Sequence, residues 1–234
     1  MRRVMLSLIW CASACTSSAP TTPIAHHRIL IDRSLSVPKE RFDRFASEVV
    51  QQGESWAMTA KAGATFGIWW LPAEVDYSYP AVDTTLIMPG LQVPVHLARR
   101  REREAVDKIL RRVVHDVPPT RKTPLLEAIY YLQASAPREG DWQLTIYSDL
   151  LQDGKTWSLP ASLERSTDQQ ILAKMRELCP PVENPPSTIA IVTWPGVLGK
   201  GRTSLEVHQR VIKLYRAFLE RWAPESSIEV QSLY

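Results

Sequence analysis

The chain is poor in glycine: nine glycines stand against 18 prolines in 234 residues. That excludes collagen-like and Gly-rich repeat architectures, and the prolines call for several rigid loops. Cysteine is scarcer still, three in all, too few for a disulfide framework. A dominant charge is lacking too, since 28 basic and 25 acidic residues leave only +3. A domain that grips nucleic acid by its phosphates carries a stronger bias, so no nucleic-acid partner is expected. The H-E-x-x-H, G-x-S-x-G and C-x-x-C signatures do not occur, and an enzyme is not expected. What is present is ordinary globular composition, 44% hydrophobic and 23% charged. The length suits one domain with a full core and hardly two.

The first residues read as an export signal. Arg2 and Arg3 give a short basic start. Val4–Trp10 is an apolar run too short to span a bilayer. Ala12, Ser13, Ala14 and Cys15 follow. Small residues directly before a cysteine resemble the lipobox of bacterial lipoproteins, with Ala12 where that family usually has Leu. The resemblance implies cleavage after residue 14, lipid on Cys15 and anchoring of the chain to a membrane through that lipid. It places the chain in a bacterial cell envelope, and Thr16, not being an acid, points to the outer rather than the inner membrane. A plain secretory signal cleaved near Ala14 or Ala19 is the alternative. Without residues 1–14 the charge falls to +1, because Arg2 and Arg3 leave. Cys179 is then alone and has no partner for a disulfide. Residues 15–27 read as a tether rich in Ser, Thr and Pro, and residues 28–234 as the folded domain.

Within that domain, Arg28–Asp32 reads as a buried strand. Pro38–Gln52 has helical spacing, with Phe42, Phe45, Ala46, Val49 and Val50 on one stripe, Pro38 at the start and Gly53 as the stop. Strands are expected at Ala64–Leu71, Thr84–Met88, Trp142–Ser148, Thr188–Thr193 and Ser227–Leu233. Helices are expected at Val95–Val117, at Leu125–Gln133 with Thr123 as N-cap and Pro124 at its first position, at Gln169–Leu178 and at Leu205–Trp222. The last carries Val207, Val211, Leu214, Tyr215, Phe218 and Trp222 on one stripe. Near-regular alternation of strand and helix argues for an α/β fold with a largely parallel sheet.

The first strand runs into Asp32-Arg33-Ser34-Leu35-Ser36, a D-x-S-x-S run at a strand's C-terminal end. Ligand sites of open α/β sheets lie there. Alternate residues of an extended loop point the same way, so one carboxylate and two hydroxyls can converge. These are hard oxygen donors of the kind Mg²⁺ prefers. Thr123 opens a later helix, and Asp149 follows the strand Trp142–Ser148 in a Ser-Asp run. In these elements the sequence resembles the von Willebrand factor A domain and its metal-ion-dependent adhesion site, over roughly Arg28 to Tyr234. Asp32, Ser34 and Ser36 match the D-x-S-x-S, Thr123 the threonine, and Asp149 the second acid. Arg121 and Leu150 stand where glycines are usual. The resemblance implies a Rossmann-like, doubly wound, mainly parallel sheet flanked by helices. It further implies Mg²⁺ (or Mn²⁺) held directly by Ser34 and Ser36, and directly or through water by Asp32, Thr123 and Asp149. A sixth position would stay open for an acidic residue of a partner protein.

Each residue also has a purely structural reading. Ser34 and Ser36 could cap the helix at Pro38, Thr123 could be only an N-cap, and Asp149 only a turn acid. The chain could accordingly be a structural subunit of an envelope or secretion complex with a silent metal site. A metal-dependent phosphoester hydrolase acting through Asp32 is a third reading, although Ser34 breaks the D-x-D signature of haloacid dehalogenase phosphatases. Residues 96–122 hold nine basic against four acidic side chains, an excess of +5. That is either a solvated helix face or a basic wall from Arg99 to Arg112 that attracts an acidic partner or anionic lipid. Trp194–Thr203 holds three of the nine glycines. It reads as a flexible loop that could rim the site, and it fails the P-loop pattern.

Overall fold

The computed structural model describes residues 25–32, 34–35, 37, 39–59, 64–71, 84–87, 100, 104, 108, 122–134, 136, 140–181, 183–198, 201–202 and 204–233. Cys15 with the leader, most of the tether, Ser36 and most of the basic segment lie outside these residues. Of that segment, Arg100, Glu104 and Lys108 are helical and fall within the helix expected at Val95–Val117.

In chain order the elements are β1 (Ala25–Ile31), α1 (Lys39–Thr59), β2 (Thr65–Trp70), β3 (Thr84–Ile87), α2 (Leu125–Ala134), β4 (Asp141–Tyr147), α3 (Leu159–Arg165), α4 (Asp168–Leu178), β5 (Thr188–Thr193), β6 (Val197–Leu198), β7 (Gly201–Arg202), α5 (Leu205–Trp222) and β8 (Ser227–Ser232). Six strands form one sheet in the order β3-β2-β1-β4-β5-β8. The five from β2 to β8 run parallel, and β3 closes the edge antiparallel to β2. This is the doubly wound α/β arrangement that the alternation predicts. The chain builds outward from β1 through β2 and β3, then returns to β4 and builds the other way. The order reverses between β1 and β4, so the crevice at their C-terminal ends is where a ligand site belongs.

Helices cover both faces. Ile29 and Ile31 of β1 and Phe66 and Ile68 of β2 meet Phe42, Phe45, Val49 and Trp56 of α1. On the other face Leu30, Trp69, Trp142, Leu144 and Ile146 meet α2, α4 and α5 through Ile129, Met175, Tyr215, Phe218 and Trp222. Strand residues alternate between the faces, so central strands buried on both sides read as continuous apolar runs.

Arg28 interrupts that run. Its guanidinium lies 5.1 Å from the ring centre of Trp69 and 5.5 Å from that of Trp142. Nη1 donates to the carbonyl of Leu132 in the last turn of α2. Gly67 makes room for this stack, because a Cβ there would overlap the Trp69 indole.

Four local corrections are needed. The first strand begins at Ala25 rather than Arg28, so residues 25–27 pair with β4 and are not part of a tether. Helix α1 runs through Gly53 to Thr59, because continuing it buries Trp56, whose ring packs 5.5 Å from Phe66. That burial outweighs the roughly 1 kcal/mol a helical glycine costs. Helix α3 carries no sequence signal strong enough to predict it; it is only seven residues long, with Pro in its first turn after Ser158. The run after β5 contains a small antiparallel hairpin, Val197 opposite Arg202 and Leu198 opposite Gly201, where a loop is expected.

Candidate functional site

Asp32 follows the last residue of β1, and its N–H still donates to Tyr147 of β4 at 2.8 Å. The side chain is wholly buried. Oδ1 accepts from the N–H of Ser34 at 2.8 Å, which turns the chain after the strand. Oδ2 accepts from the hydroxyl of Ser148 at 2.8 Å. Burial, and then the carboxylate of Asp149, push the Asp32 pKa up to about 7. Ser34 is buried beside it, and its carbonyl accepts from the N–H of Val37 at 3.0 Å. Between them Leu35 points outward, 62% exposed. Ser36 lies outside the described residues.

Asp149 is also wholly buried, one residue beyond Ser148 at the end of β4. Its Oδ1 accepts from the N–H of Leu151 at 2.9 Å. Ser148 Oγ accepts from the N–H of Leu150 at 3.0 Å. Leu150, between these two bonds, adopts φ 63°, the left-handed region that suits glycine. Leu150 stands where the resemblance expects a glycine, and it takes the backbone shape a glycine would supply. Its side chain is meanwhile buried in the main core. The segment after β5 crosses directly over Asp149, since a Cβ on Gly196 would overlap Oδ2.

Thr123 is buried and joined to Asp153 by a two-way backbone pair of 3.1 and 2.9 Å. It lies just outside α2 and does not sit at the expected cap. The carbonyl of Pro124 accepts the helical bond from Ala128 at 3.0 Å. An early amide of the helix, that of Leu126, is taken by Gln152 Oε1 at 2.8 Å. The opening of α2 is therefore satisfied from 26 residues downstream.

The loop after β4 is thus the hub. It carries Asp149, holds Asp32 through Ser148, pairs with Thr123 through Asp153 and caps α2 through Gln152. Four of the five expected site residues, Asp32, Ser34, Thr123 and Asp149, are buried at the C-terminal ends of β1 and β4 and the opening of α2. The charges of Asp32 and Asp149 are felt by each other, and both reach Tyr215 on α5. Its buried hydroxyl is raised well above its ordinary pKa, by burial first and then by Glu127, Asp149 and Asp32. In the sequence Ser148 is visible only as part of a Ser-Asp run. Gln152 and Gly196 carry no local signal, because their roles come from contacts distant in sequence. Cys179, at the end of α4, is buried in the core, and burial, then Glu127, push its thiol pKa up. That keeps it protonated and unreactive.

Two buried carboxylates with hydroxyls around them suit a small hard cation. Among the described residues no group of three or more His, Cys, Asp or Glu side chains that could hold a metal ion comes together.

No family model matches the sequence, and no curated protein matches it. Solved structures give distant likenesses. The three N-terminal domains of the type V pili tip protein Mfa5 from Porphyromonas gingivalis are 13% identical, with a TM-score of 0.31 over 56% of this chain and 20% of that one. The human COPII-coat protein Sec24c is 11% identical, with a TM-score of 0.46 over 91% of this chain and 30% of that one. An aerotolerance-related membrane protein from Bacteroides fragilis is 10% identical, with a TM-score of 0.37 over 89% of this chain and 90% of that one. Among the described residues no helix is long and apolar enough to cross a membrane.

Proposed function

We propose that this chain is a von Willebrand factor A-like binding module, exported to a bacterial cell envelope and anchored there through lipid on Cys15. Asp32, Ser34, Ser36, Thr123 and Asp149 would hold Mg²⁺ or Mn²⁺, and the bound cation would supply a Lewis-acidic point for an acidic residue of a partner protein. One observation carries this reading: two wholly buried carboxylates sit at the sheet's switch point, where burial and then the charge of Asp149 raise the pKa of Asp32 to about 7. Burying like charges together costs free energy, and a divalent cation offsets that cost. Two acids against three neutral hydroxyls balance a +2 ion and leave it able to accept one further anion. Leu35, exposed beside Ser34, offers the partner an apolar contact next to the ion.

The test is a thermal melt of the wild type and of Asp149→Asn, with Mg²⁺ and with chelator. Mg²⁺ should raise the wild-type midpoint, as any ligand of the folded state does, and leave the variant unmoved. Equal shifts in both would exclude the site. A second reading has its own support: both oxygens of Asp32 are already hydrogen-bonded, to Ser34 and Ser148. A structural envelope subunit with a silent site would keep these bonds and show no Mg²⁺ shift in either protein.

A further inference from the structure

Gln152 is a neutral side chain, wholly buried in the loop that carries Asp149. A buried primary amide is costly unless its donors and acceptor are used. Here Oε1 accepts from Leu126 N–H at 2.8 Å and Nε2 donates to Glu127 Oε2 at 2.8 Å. Both partners belong to the first turn of α2. The next residue, Asp153, makes the two-way backbone pair with Thr123. The backbone of Gln152 is fixed as well, its N–H donating to Leu150 at 3.0 Å and its carbonyl accepting from Leu159 at 2.8 Å. Gly154 lies against this contact, where a Cβ would overlap both Glu127 Oε1 and Gln152 Nε2. Two adjacent residues thus tie the corner that carries Thr123 to the loop that carries Asp149.

We propose that Gln152 is a positioning residue of the cation site, setting the place of Thr123 relative to Asp149 through its bonds to Leu126 and Glu127. This rests on the metal reading above. Gln152 itself does not touch the ion. Groups that orient metal ligands without touching the metal typically change affinity about 10- to 100-fold when lost.

The experiment measures Mn²⁺ affinity of the full chain by the electron paramagnetic resonance of free Mn²⁺, with thermal melts of each variant alongside. Gln152→Met keeps the volume and removes both bonds, and a loss of about tenfold or more is expected. Gln152→Glu keeps the acceptor for Leu126 but sets a second carboxylate against Glu127, and a similar loss is expected. The double variant Gln152→Glu/Glu127→Gln reverses donor and acceptor across the same contact. It should return affinity to within about threefold of wild type. If Gln152→Met does not fold, the recovery in the double variant over Gln152→Glu decides the matter. A lowered melting midpoint with wild-type Mn²⁺ affinity, or no recovery in the double variant, overturns the positioning role and leaves the metal site standing. A wild type that binds no Mn²⁺ overturns the metal site and this role with it.

Discussion

Strand β1 carries a buried cation near its middle and a buried anion just past its end, and the molecule treats them differently. Arg28 and Asp32 lie on the same face of the sheet, two alternations apart. Around Arg28 the surroundings accept a positive charge: two indole faces and a helix-end carbonyl. Such contacts are favourable for a guanidinium and fix it in one place. Around Asp32 the donors are neutral, and the charge that helps to raise its pKa is another carboxylate. A buried charge with matched surroundings holds the fold together. A buried charge facing its own sign weakens the fold unless something else is bound, and perturbations of that kind gather at functional sites.

Removing the matched charge should have the largest effect on stability. Arg28→Met keeps much of the volume but gives up the stacking and the charge-assisted bond to Leu132, a loss of about 3 kcal/mol in urea unfolding. Mg²⁺ affinity of the folded variant should stay within about twofold, because the site lies at the strand ends. A large loss of affinity would mean that the two regions are coupled.

The unmatched charge should show itself through pH. Asp32 titrates at about 7 when folded, against an ordinary value of 3.8. The folded state therefore holds this proton more tightly than the unfolded chain does. Its contribution to stability is fully present below about pH 4 and is lost as pH rises through 7, at about 1.4 kcal/mol for each pH unit between the two values. Cation-free protein should thus lose unfolding free energy between about pH 4 and 7, to a degree that Asp32→Asn removes. Saturating Mg²⁺ should offset the loss, because the cation binds the ionised pair. A cation-free pH profile identical in wild type and Asp32→Asn would mean that Asp32 is not the unmatched charge.

Much of this arrangement is legible in the sequence. Thr188–Thr193 and Leu205–Trp222 form the strand and helix that their patterns predict, because one unbroken stripe or run leaves little choice. Gly53 misleads because its local cost is smaller than the gain from burying Trp56, less than one turn further on. Asp32 and Asp149 are legible because each follows a strong strand. Gln152 is not, since its partners are Leu126 and Glu127, and no spacing rule links a loop amide to a helix 26 residues earlier.

Leu150 offers a smaller test of the loop that joins the two acids. Its left-handed backbone costs of the order of 1–3 kcal/mol for a branched residue, while its buried side chain contributes about 2–5 kcal/mol. Leu150→Gly loses the side chain but relaxes the backbone, so it should be less destabilising than Leu150→Ala, by about 1 kcal/mol in chemical denaturation. Equal losses would show that the backbone at this corner carries no strain. The smallest effect is expected where charge is fully solvated. Arg100 and Glu104 pair at 3.3 Å with side chains 79% and 67% exposed, so Arg100→Ala should change unfolding free energy by less than about 0.5 kcal/mol.

The decisive experiment is calorimetric titration of Mg²⁺ into the wild type and Asp32→Asn at pH 8. The substitution removes one buried charge and keeps an oxygen for the Ser34 N–H. A cation site built on Asp32 predicts saturable binding of one ion by the wild type, and none by a variant whose circular dichroism and melting show it folded. Binding of equal affinity in the folded variant, or no binding by the wild type, would contradict it.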